Sequence, residues 1–174
     1  MPDLRILEPT VFPDERGFFF ESFRVDLISE DIGSPVNFVQ DNHSFSRRGV
    51  LRGLHYQQPH AQGKLVSVCA GEIWDVAVDL RRSSPTFGCW NAVVLSAENK
   101  LRLWIPEGFA HGFLVLSDGA DVQYKITDFR HPDSERCIAW NDPDLAIEWP
   151  LTGNPVMSDK DRRGAAFKGA PCFD

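Results

Sequence analysis

The chain contains 174 residues, of which 43% are hydrophobic and 25% are charged, and its formal net charge is -7 at pH 7. This composition is typical of a globular protein, and we expect a single domain over residues 1–174. The negative charge argues against nucleic acid or an anionic membrane as partner. Because neither a membrane-spanning apolar run nor a signal peptide is recognisable, we expect a cytoplasmic location.

The first part of the chain contains one candidate helix, at residues 24–31. Gly33 and Pro35 follow it, and both residue types commonly end helices. A second helix is predicted to begin at Ser158, since Ser158-Asp159-Lys160-Asp161 has the form of a capping box with Asp in place of the more usual Glu or Gln.

Most of the remaining chain has the pattern of strands. Residues 72–80 alternate most clearly, with Trp74, Val76, Val78 and Leu80 on one face and Ile73, Asp75, Ala77 and Asp79 on the other. Residues 64–70 precede them through Gly71, which predicts a β-hairpin. Further strands are predicted at residues 92–95, 101–105, 112–116, 122–127 and 137–139. Such regular spacing indicates a mainly β fold, either a sandwich or a closed barrel.

The four cysteines are Cys69, Cys89, Cys137 and Cys172, and no two of them have CxxC spacing. In a reducing compartment this scatter favours small buried hydrophobic residues over disulfides or zinc ligands.

His55 is the first candidate for chemistry. It lies in Arg52-Gly53-Leu54-His55-Tyr56-Gln57, directly before the strand-like segments. Imidazole exchanges protons near neutral pH, whereas an interior sheet position is a poor place for a histidine that nothing there requires. A satisfied structural histidine is the ordinary alternative.

His111 lies in a second motif, Pro106-Glu107-Gly108-Phe109-Ala110-His111. Pro-x-Gly-x-x-His at the start of a strand resembles the second motif of the cupin barrels, in which the histidine points inward and is often a metal ligand. The first cupin motif requires His-x-His, and this chain has His55-Tyr56-Gln57 instead. A metal site needs at least three suitably spaced ligands, so the sequence favours a cupin-like barrel without a catalytic metal.

Three further residues suit proton transfer. Lys64 can stabilise a developing oxyanion, Tyr124 can donate a proton, and Asp161 can orient an imidazole and stabilise its charged form. The alternatives are a solvated strand end for Lys64, a core tyrosine for Tyr124 and helix capping for Asp161, which can fill both roles at once.

The motifs together resemble the dTDP-4-dehydrorhamnose 3,5-epimerase family, in order and in approximate spacing, from about residue 8 to residue 161. The matching segments are residues 14–21, 38–44, 52–57, 62–66, 75–79, 84–88, 104–113, 124–125, 140–143 and 158–161. The resemblance implies a cupin-like β-barrel that forms homodimers and uses neither a metal nor an organic cofactor. It implies epimerisation at C3 and C5 of a thymidine diphosphate 4-keto-6-deoxyglucose, giving the precursor of L-rhamnose.

The resemblance also implies roles for individual residues. His55 is the base and is held by Asp161, Tyr124 is the acid on the opposite face, and Lys64 stabilises the enolate oxygen. Arg16 and Arg52 meet the diphosphate or the sugar. The other implied substrate-binding residues are Glu21, Gln40, Asp41, Asn42, His111, Glu135 and Lys160. Some nucleotide contacts are expected to come from a neighbouring subunit, and the run Phe18-Phe19-Phe20 is either a stacking face for thymine or part of the β core.

The sequence leaves several alternatives open. An epimerase that inverts only C3 or only C5 would use the same acid–base set, and a metal-dependent cupin oxygenase or isomerase is a rival from another class. Where the family commonly has an aromatic pair, this chain has Phe129-Arg130, and the sequence leaves the effect of this departure on nucleotide packing open. His60 and His131 are expected to be solvated surface residues.

Overall fold

The computed structural model describes residue 1 and residues 3–174. Its strands are β1 (Arg5–Leu7), β2 (Phe12–Asp14), β3 (Gly17–Phe19), β4 (Gln40–Arg47), β5 (Leu51–Gln57), β6 (Lys64–Ala70), β7 (Glu72–Asp79), β8 (Trp90–Ser96), β9 (Arg102–Ile105), β10 (Phe109–Val115), β11 (Gly119–Ile126) and β12 (Glu135–Cys137). Its helices are α1 (Val25–Ile32) and α2 (Asp159–Arg162), with 3₁₀ turns at Pro132–Ser134 and Phe167–Gly169.

Two antiparallel five-stranded sheets face each other and form a cupin-like β-barrel. The strand order is β1-β9-β6-β11-β4 in the first sheet and β12-β5-β10-β7-β8 in the second. The short strands β2 and β3 form a separate hairpin outside both sheets. The predicted fold class, a mainly β cupin-like barrel or jelly roll with a few short helices, is confirmed.

Apolar residues fill the barrel and also cover both of its outer surfaces. Between the sheets, side chains such as Val66, Ile73 and Phe113 form the central core. The outer face of the second sheet is covered by the C-terminal segment, through residues such as Trp149. On the first sheet, α1 packs through Ile28 against Leu65 and its neighbours. The alternation predicted for residues 72–80 therefore separates two cores, because both faces of β7 are covered.

Both predicted helices are present. α1 ends at Gly33, which adopts a left-handed conformation with φ of 87°. In α2 the Ser158 hydroxyl accepts a hydrogen bond from the Asp161 backbone N–H at 3.2 Å, which confirms the predicted cap. Among the described residues, no helix combines the length and apolar character needed to cross a membrane.

The predicted hairpin between residues 64–70 and 72–80 is wrong. β6 pairs with β9 and β11 in the first sheet, while β7 pairs with β8 and β10 in the second. A hairpin normally needs at least two residues in its turn, and here only Gly71 separates the strands. Gly71 has φ of 76° and carries the chain from one sheet to the facing one.

The prediction for the cysteines holds only in part. Cys172 is buried and Cys137 is half-buried, but Cys69 and Cys89 are exposed. Cys69 lies near the end of β6 and Cys89 lies in the turn before β8, and neither side chain is covered by a second layer.

Candidate active site

One end of the barrel opens into a cavity of about 240 Å³ between the two sheets. Because the strands run antiparallel, the last residues of β5 and β11 meet the first residues of β4, β6 and β12 at this end. Most of the site residues predicted from the sequence line the cavity: Asn42, Arg52, His55, Lys64, His111, Tyr124, Glu135 and Lys160.

His55 and Asp161 form a hydrogen-bonded pair at the wall of this cavity. His55 Nε2 contacts Asp161 Oδ1, and the Asp161 side chain is buried. Burial alone would raise the pKa of Asp161, but hydrogen bonds from His55 and Ser158 hold it below the usual value of an aspartate. An ionised Asp161 orients the imidazole and stabilises its protonated form, as a base in proton abstraction requires.

Asp161 also keeps its role in the helix cap. The Ser158 hydroxyl donates to Asp161 Oδ2 at 2.7 Å, while its oxygen accepts from the Asp161 N–H. Asp161 therefore makes the contacts of the helix cap and of the imidazole pair at once, as the sequence allows, and the short helix α2 fixes the carboxylate against His55.

Lys64 lies at the start of β6 and is buried in the cavity wall. Its Nζ donates to the backbone carbonyl oxygen of His55 at 3.2 Å. Burial lowers the pKa of Lys64 to about 8, although the charges of Asp75 and Glu135 oppose this shift. The alternative of a solvated strand end is excluded, and the ammonium is available to stabilise an anion in the cavity.

Tyr124 lies on β11 in the first sheet, whereas His55 lies on β5 in the second, so the two residues come from facing walls. Burial raises the pKa of Tyr124. The charges of Arg52 and Arg130 lower this pKa and the charge of Glu135 raises it, and the net shift is upward. The phenol therefore remains protonated at neutral pH and can act as a proton donor.

His111 forms a second imidazole–carboxylate pair, directly beside the first. Its register partner on β5 is His55, and its Nε2 lies 3.0 and 2.9 Å from the two carboxylate oxygens of Asp75 on β7. Asp75 is fully buried. The pair holds His111 rigidly, so its ring can orient a bound substrate.

Positive side chains line the mouth of the cavity. Arg130 Nε donates to Glu135 Oε1 at 2.6 Å, and Lys160 contacts the other oxygen of Glu135. Burial raises the pKa of Glu135, but these two cations outweigh it and keep the carboxylate ionised. Arg52 donates to Ser46 Oγ at 2.9 Å. The single negative charge of Glu135 is thus paired with two positive charges, those of Arg130 and Lys160. Together with Arg52 this leaves the rim positive, which suits an anionic ligand.

The described residues include one group in this wall with the donor atoms of a metal site, consisting of His55, Cys137 and Asp161. Burial raises the pKa of the Cys137 thiol to about 11, and the nearby Asp161 charge adds to this. A metal would have to displace the hydrogen bond between His55 and Asp161 and bind a thiol that resists ionisation.

Comparison with known proteins identifies the family. A sequence model for dTDP-4-dehydrorhamnose 3,5-epimerase matches residues 1–169. The chain belongs to the dTDP-4-dehydrorhamnose 3,5-epimerase family. The epimerase of that name from Pseudomonas aeruginosa is 62% identical over 173 residues, which cover 99% of this chain and 96% of the relative.

Solved structures of other family members have the same fold. The dTDP-6-deoxy-D-glucose-3,5-epimerase of Legionella pneumophila, in complex with dTDP-4-keto-L-rhamnose, has a TM-score of 0.96 and 54% identity, covering 98% of this chain and 91% of that one. A 3'-monoepimerase from Streptomyces bikiniensis in complex with dTDP-quinovose has a TM-score of 0.89 and 34% identity, covering 95% and 84%.

Four residues that the family resemblance assigns to substrate binding do not line this cavity. Arg16 lies in the exposed β2–β3 hairpin and pairs with Asp14 at 2.6 Å, and Glu21 lies 3.6 Å from Arg24. Asp41 pairs with Lys125 at 2.8 Å. Gln40 is the fourth residue outside the cavity lining. The Gln40 side-chain amide donates to Asn42 Oδ1 at 2.8 Å, and Asn42 lines the cavity. Their binding roles stay predictions.

Two features of the cavity are not predicted from the sequence. Arg130 lines the cavity, although the sequence marked it only as a departure from the family pattern. Asp75 was placed on a face of β7, but its pairing with His111 depends on a register between strands 36 residues apart. The available signal for Asp75 was the presence of two acidic residues, Asp75 and Asp79, on a strand face that also carries Ile73 and Ala77.

Proposed function

We propose that this epimerase inverts C3 and C5 of dTDP-4-dehydro-6-deoxy-D-glucose and releases dTDP-4-dehydro-L-rhamnose for L-rhamnose biosynthesis. Both carbons flank the C4 ketone, so loss of either proton gives an enolate whose negative charge lies on O4. The reaction moves only protons, and the scheme needs no electron carrier. The observation that carries the proposal is the His55–Asp161 pair facing Tyr124 across a cavity that also contains buried Lys64.

His55 acts as the base in this scheme. Because ionised Asp161 accepts the hydrogen of one imidazole nitrogen, the other nitrogen retains the lone pair that takes the substrate proton. Asp161 then stabilises the imidazolium. Such general base assistance contributes about 10²–10⁴-fold in rate, which is too little alone for a weak carbon acid.

Lys64 and Tyr124 carry out the other two tasks, which are stabilising the enolate and returning a proton. Lys64 donates to the enolate oxygen from a buried position, where the local dielectric strengthens the interaction. Tyr124 returns a proton from the sheet opposite His55, which inverts the carbon. His111, held by Asp75, positions the sugar in the same wall.

The substrate's diphosphate would bind at the positive rim of the cavity. Arg52 and Lys160 line this rim, as the family resemblance predicts, and Arg130 adds a third cation. Arginine forms paired hydrogen bonds to phosphate oxygens, which favours a nucleoside diphosphate over a neutral sugar. Glu21, Gln40, Asp41 and Asn42 are proposed to position the nucleoside.

The functional unit is proposed to be a homodimer. The β2–β3 hairpin exposes Phe12, Phe18 and Phe19 by 56%, 59% and 65%. Large apolar side chains exposed in this way commonly mark a protein interface. The exposure argues against the reading of Phe18 and Phe19 as core residues. Arg16 lies in the same hairpin with its side chain 85% exposed, and we propose that it serves the cavity of a second copy.

The proposal extends to domain organisation and location. One domain over residues 1–174 is supported by the family match over residues 1–169 and by sheets that draw strands from both halves of the chain. A cytoplasmic location is supported by four free cysteines, which a reducing compartment maintains.

The function is tested by incubating the enzyme with its proposed substrate in D₂O and locating deuterium by NMR. Deuterium at both C3 and C5, with the L-rhamno product, is the expected result. The His55→Ala variant should lose exchange and still bind dTDP. No exchange in folded protein, or full exchange by the variant, would contradict the proposal.

Inversion of C3 alone is the second candidate. The observation that favours it is the similarity of this chain to the Streptomyces bikiniensis 3'-monoepimerase, with 34% identity and a TM-score of 0.89. The same experiment separates the two, because a monoepimerase would release product inverted at one carbon only. Family membership makes the metal-dependent cupin oxygenase the weaker rival.

A further inference from the structure

Two histidines and a carboxylate come together outside the catalytic cavity. His60 lies in the loop between β5 and β6, and Asp128 and His131 lie in the loop that follows β11. Asp128 lies 3.5 Å from His60 Nδ1 and 3.8 Å from His131 Nε2, through its two different oxygens. The ligand atoms of the three residues all lie within 4.8 Å of one another.

We propose that His60, Asp128 and His131 form a binding site for a borderline divalent transition-metal ion such as Zn²⁺, Ni²⁺ or Cu²⁺, with water completing the coordination. Imidazole nitrogens suit these ions, whereas Mg²⁺ and Ca²⁺ prefer a shell made entirely of oxygen atoms. The site is separate from the proton-transfer residues, so the proposal does not depend on the proposed function.

The two loops are already held together by one buried side chain. Gln57 is only 3% exposed, and its amide nitrogen donates to the backbone oxygens of His60 at 2.9 Å and Phe129 at 3.1 Å. Its amide oxygen accepts from the His131 backbone N–H at 2.7 Å. This fixes the backbones that carry all three ligands and reduces the entropy lost on binding.

The side chains still have room to adjust. The His60 and His131 rings stack with centroids 3.9 Å apart and an interplanar angle of 16°. One ring must turn so that both nitrogens point at a shared ion. The side chains are 48% and 41% exposed, so little packing opposes this rotation.

The site connects to the catalytic cavity through its supporting residues. Gln57, Gln62 and Arg130 all line the cavity, and Gln62 donates to the Asp128 backbone oxygen at 2.9 Å. An ion that joins His60 to Asp128 and His131 would therefore tie together two loops of the cavity mouth. We expect bound metal to raise the temperature of unfolding.

The test is a titration of untagged, chelator-treated enzyme with Ni²⁺ and with Zn²⁺ by isothermal calorimetry, together with thermal unfolding. One ion per chain and a higher unfolding temperature are expected. His60→Ala, His131→Ala and Asp128→Asn should each weaken binding by about tenfold or more and remove the thermal shift. Their epimerase turnover in the absence of metal should be unchanged.

Two control variants distinguish this site from others. His43 pairs with Asp121 at 2.8 Å on the surface, and His43→Ala should bind metal as the wild type does. Cys137→Ala removes a donor from the His55 group and should also leave binding intact. Wild-type affinity in both His60→Ala and His131→Ala would overturn the proposal, as would loss of the ion in Cys137→Ala alone.

Discussion

The two imidazoles of the cavity are held by carboxylates in different environments. Asp161 lies in α2, where its N–H donates the cap hydrogen bond to Ser158 Oγ and its Oδ2 accepts from the Ser158 hydroxyl, so a local turn sets its position. Asp75 lies on β7, is fully buried and contacts His111 through both oxygens. A local turn therefore positions the carboxylate partner of His55, whereas the interior of the barrel positions the carboxylate partner of His111.

The lowered pKa of Lys64 predicts the alkaline limb of the pH profile. Because burial brings this pKa to about 8, the ammonium loses its proton as the pH rises through that value, and stabilisation of the enolate is lost with it. We expect kcat/KM to fall above about pH 8. The Tyr124 pKa is raised above its ordinary value near 10, so the phenol cannot account for a fall in this range.

Steady-state kinetics of the wild type and of Lys64→Gln between pH 6 and 10 provide the measurement. The variant should be slower by about 10²-fold or more, as expected for loss of an oxyanion donor, and its profile should lack the limb. If kcat/KM of Lys64→Gln still falls near pH 8, the alkaline limb belongs to another group and the account of Lys64 is contradicted.

At the scale of elements, the close approach of β5 and β10 shapes the site. A Cβ atom at Gly112 would lie 2.7 Å from the Arg52 backbone oxygen, and one at Gly53 would lie 2.6 Å from the Gly112 Cα. The ladder between these strands shifts its register between His111 and Phe113. These two glycines allow the strands to come together where His55 and His111 lie side by side.

Gly112→Ala should therefore destabilise the barrel and lower turnover. Backbone atoms cannot move aside as a flexible side chain can, and we expect a loss of about 1–3 kcal/mol in the free energy of unfolding. Urea denaturation measures this loss. Gly153→Ala is the matched control, since a Cβ there meets nothing within 4 Å. Equal stability of the two variants would contradict this account of the strand crossing.

The sequence predicted elements well where one local pattern decides the structure. The strands predicted at residues 92–95, 101–105, 112–116 and 122–127 overlap β8 to β11, and both helices begin within one residue of their predicted starts. The strand predicted at 137–139 shares only Cys137 with β12. The family resemblance also supplied half of the cavity-lining residues, because whole motifs fix their order along the chain.

What could not be predicted depends on contacts between distant segments. β4 has the polar sequence Gln40-Asp41-Asn42-His43-Ser44-Phe45-Ser46-Arg47, and it becomes a strand by pairing with β11 at the edge of its sheet. The exposure of Cys69 and the pairing of His111 with Asp75 likewise follow from the assembled barrel. Alternation indicates a strand and its faces, but it does not identify the partner strand.

At the scale of the whole molecule, the predicted binding role of Arg16 depends on where the β2–β3 hairpin lies in an assembled dimer. The Arg16 side chain is 85% exposed and pairs only with Asp14 among the described residues. If the hairpin crosses to the other subunit of a dimer, one subunit supplies Arg16 and the other supplies His55. Each cavity then combines two chains.

Mixing one variant with a raised KM and one inactive variant tests this arrangement. Arg16→Ala should raise KM, and His55→Ala should abolish turnover. After unfolding and refolding together, heterodimers would contain one intact cavity, so about a quarter of all sites should regain wild-type KM. Refolding each variant alone is the control. A mixture with no more wild-type activity than its components would show that Arg16 acts within its own chain or not at all.

Opposed proton transfer by His55 and Tyr124 is tested most directly by the stereochemistry of exchange in D₂O. Tyr124→Phe retains the base and lacks the acid, so His55 should remove a proton and return deuterium to the same face. NMR of the recovered sugar should show deuterium at carbon beside the ketone with the original configuration, while His55→Ala should show none. Normal inversion by Tyr124→Phe, or exchange by His55→Ala equal to the wild type, would contradict the assignment.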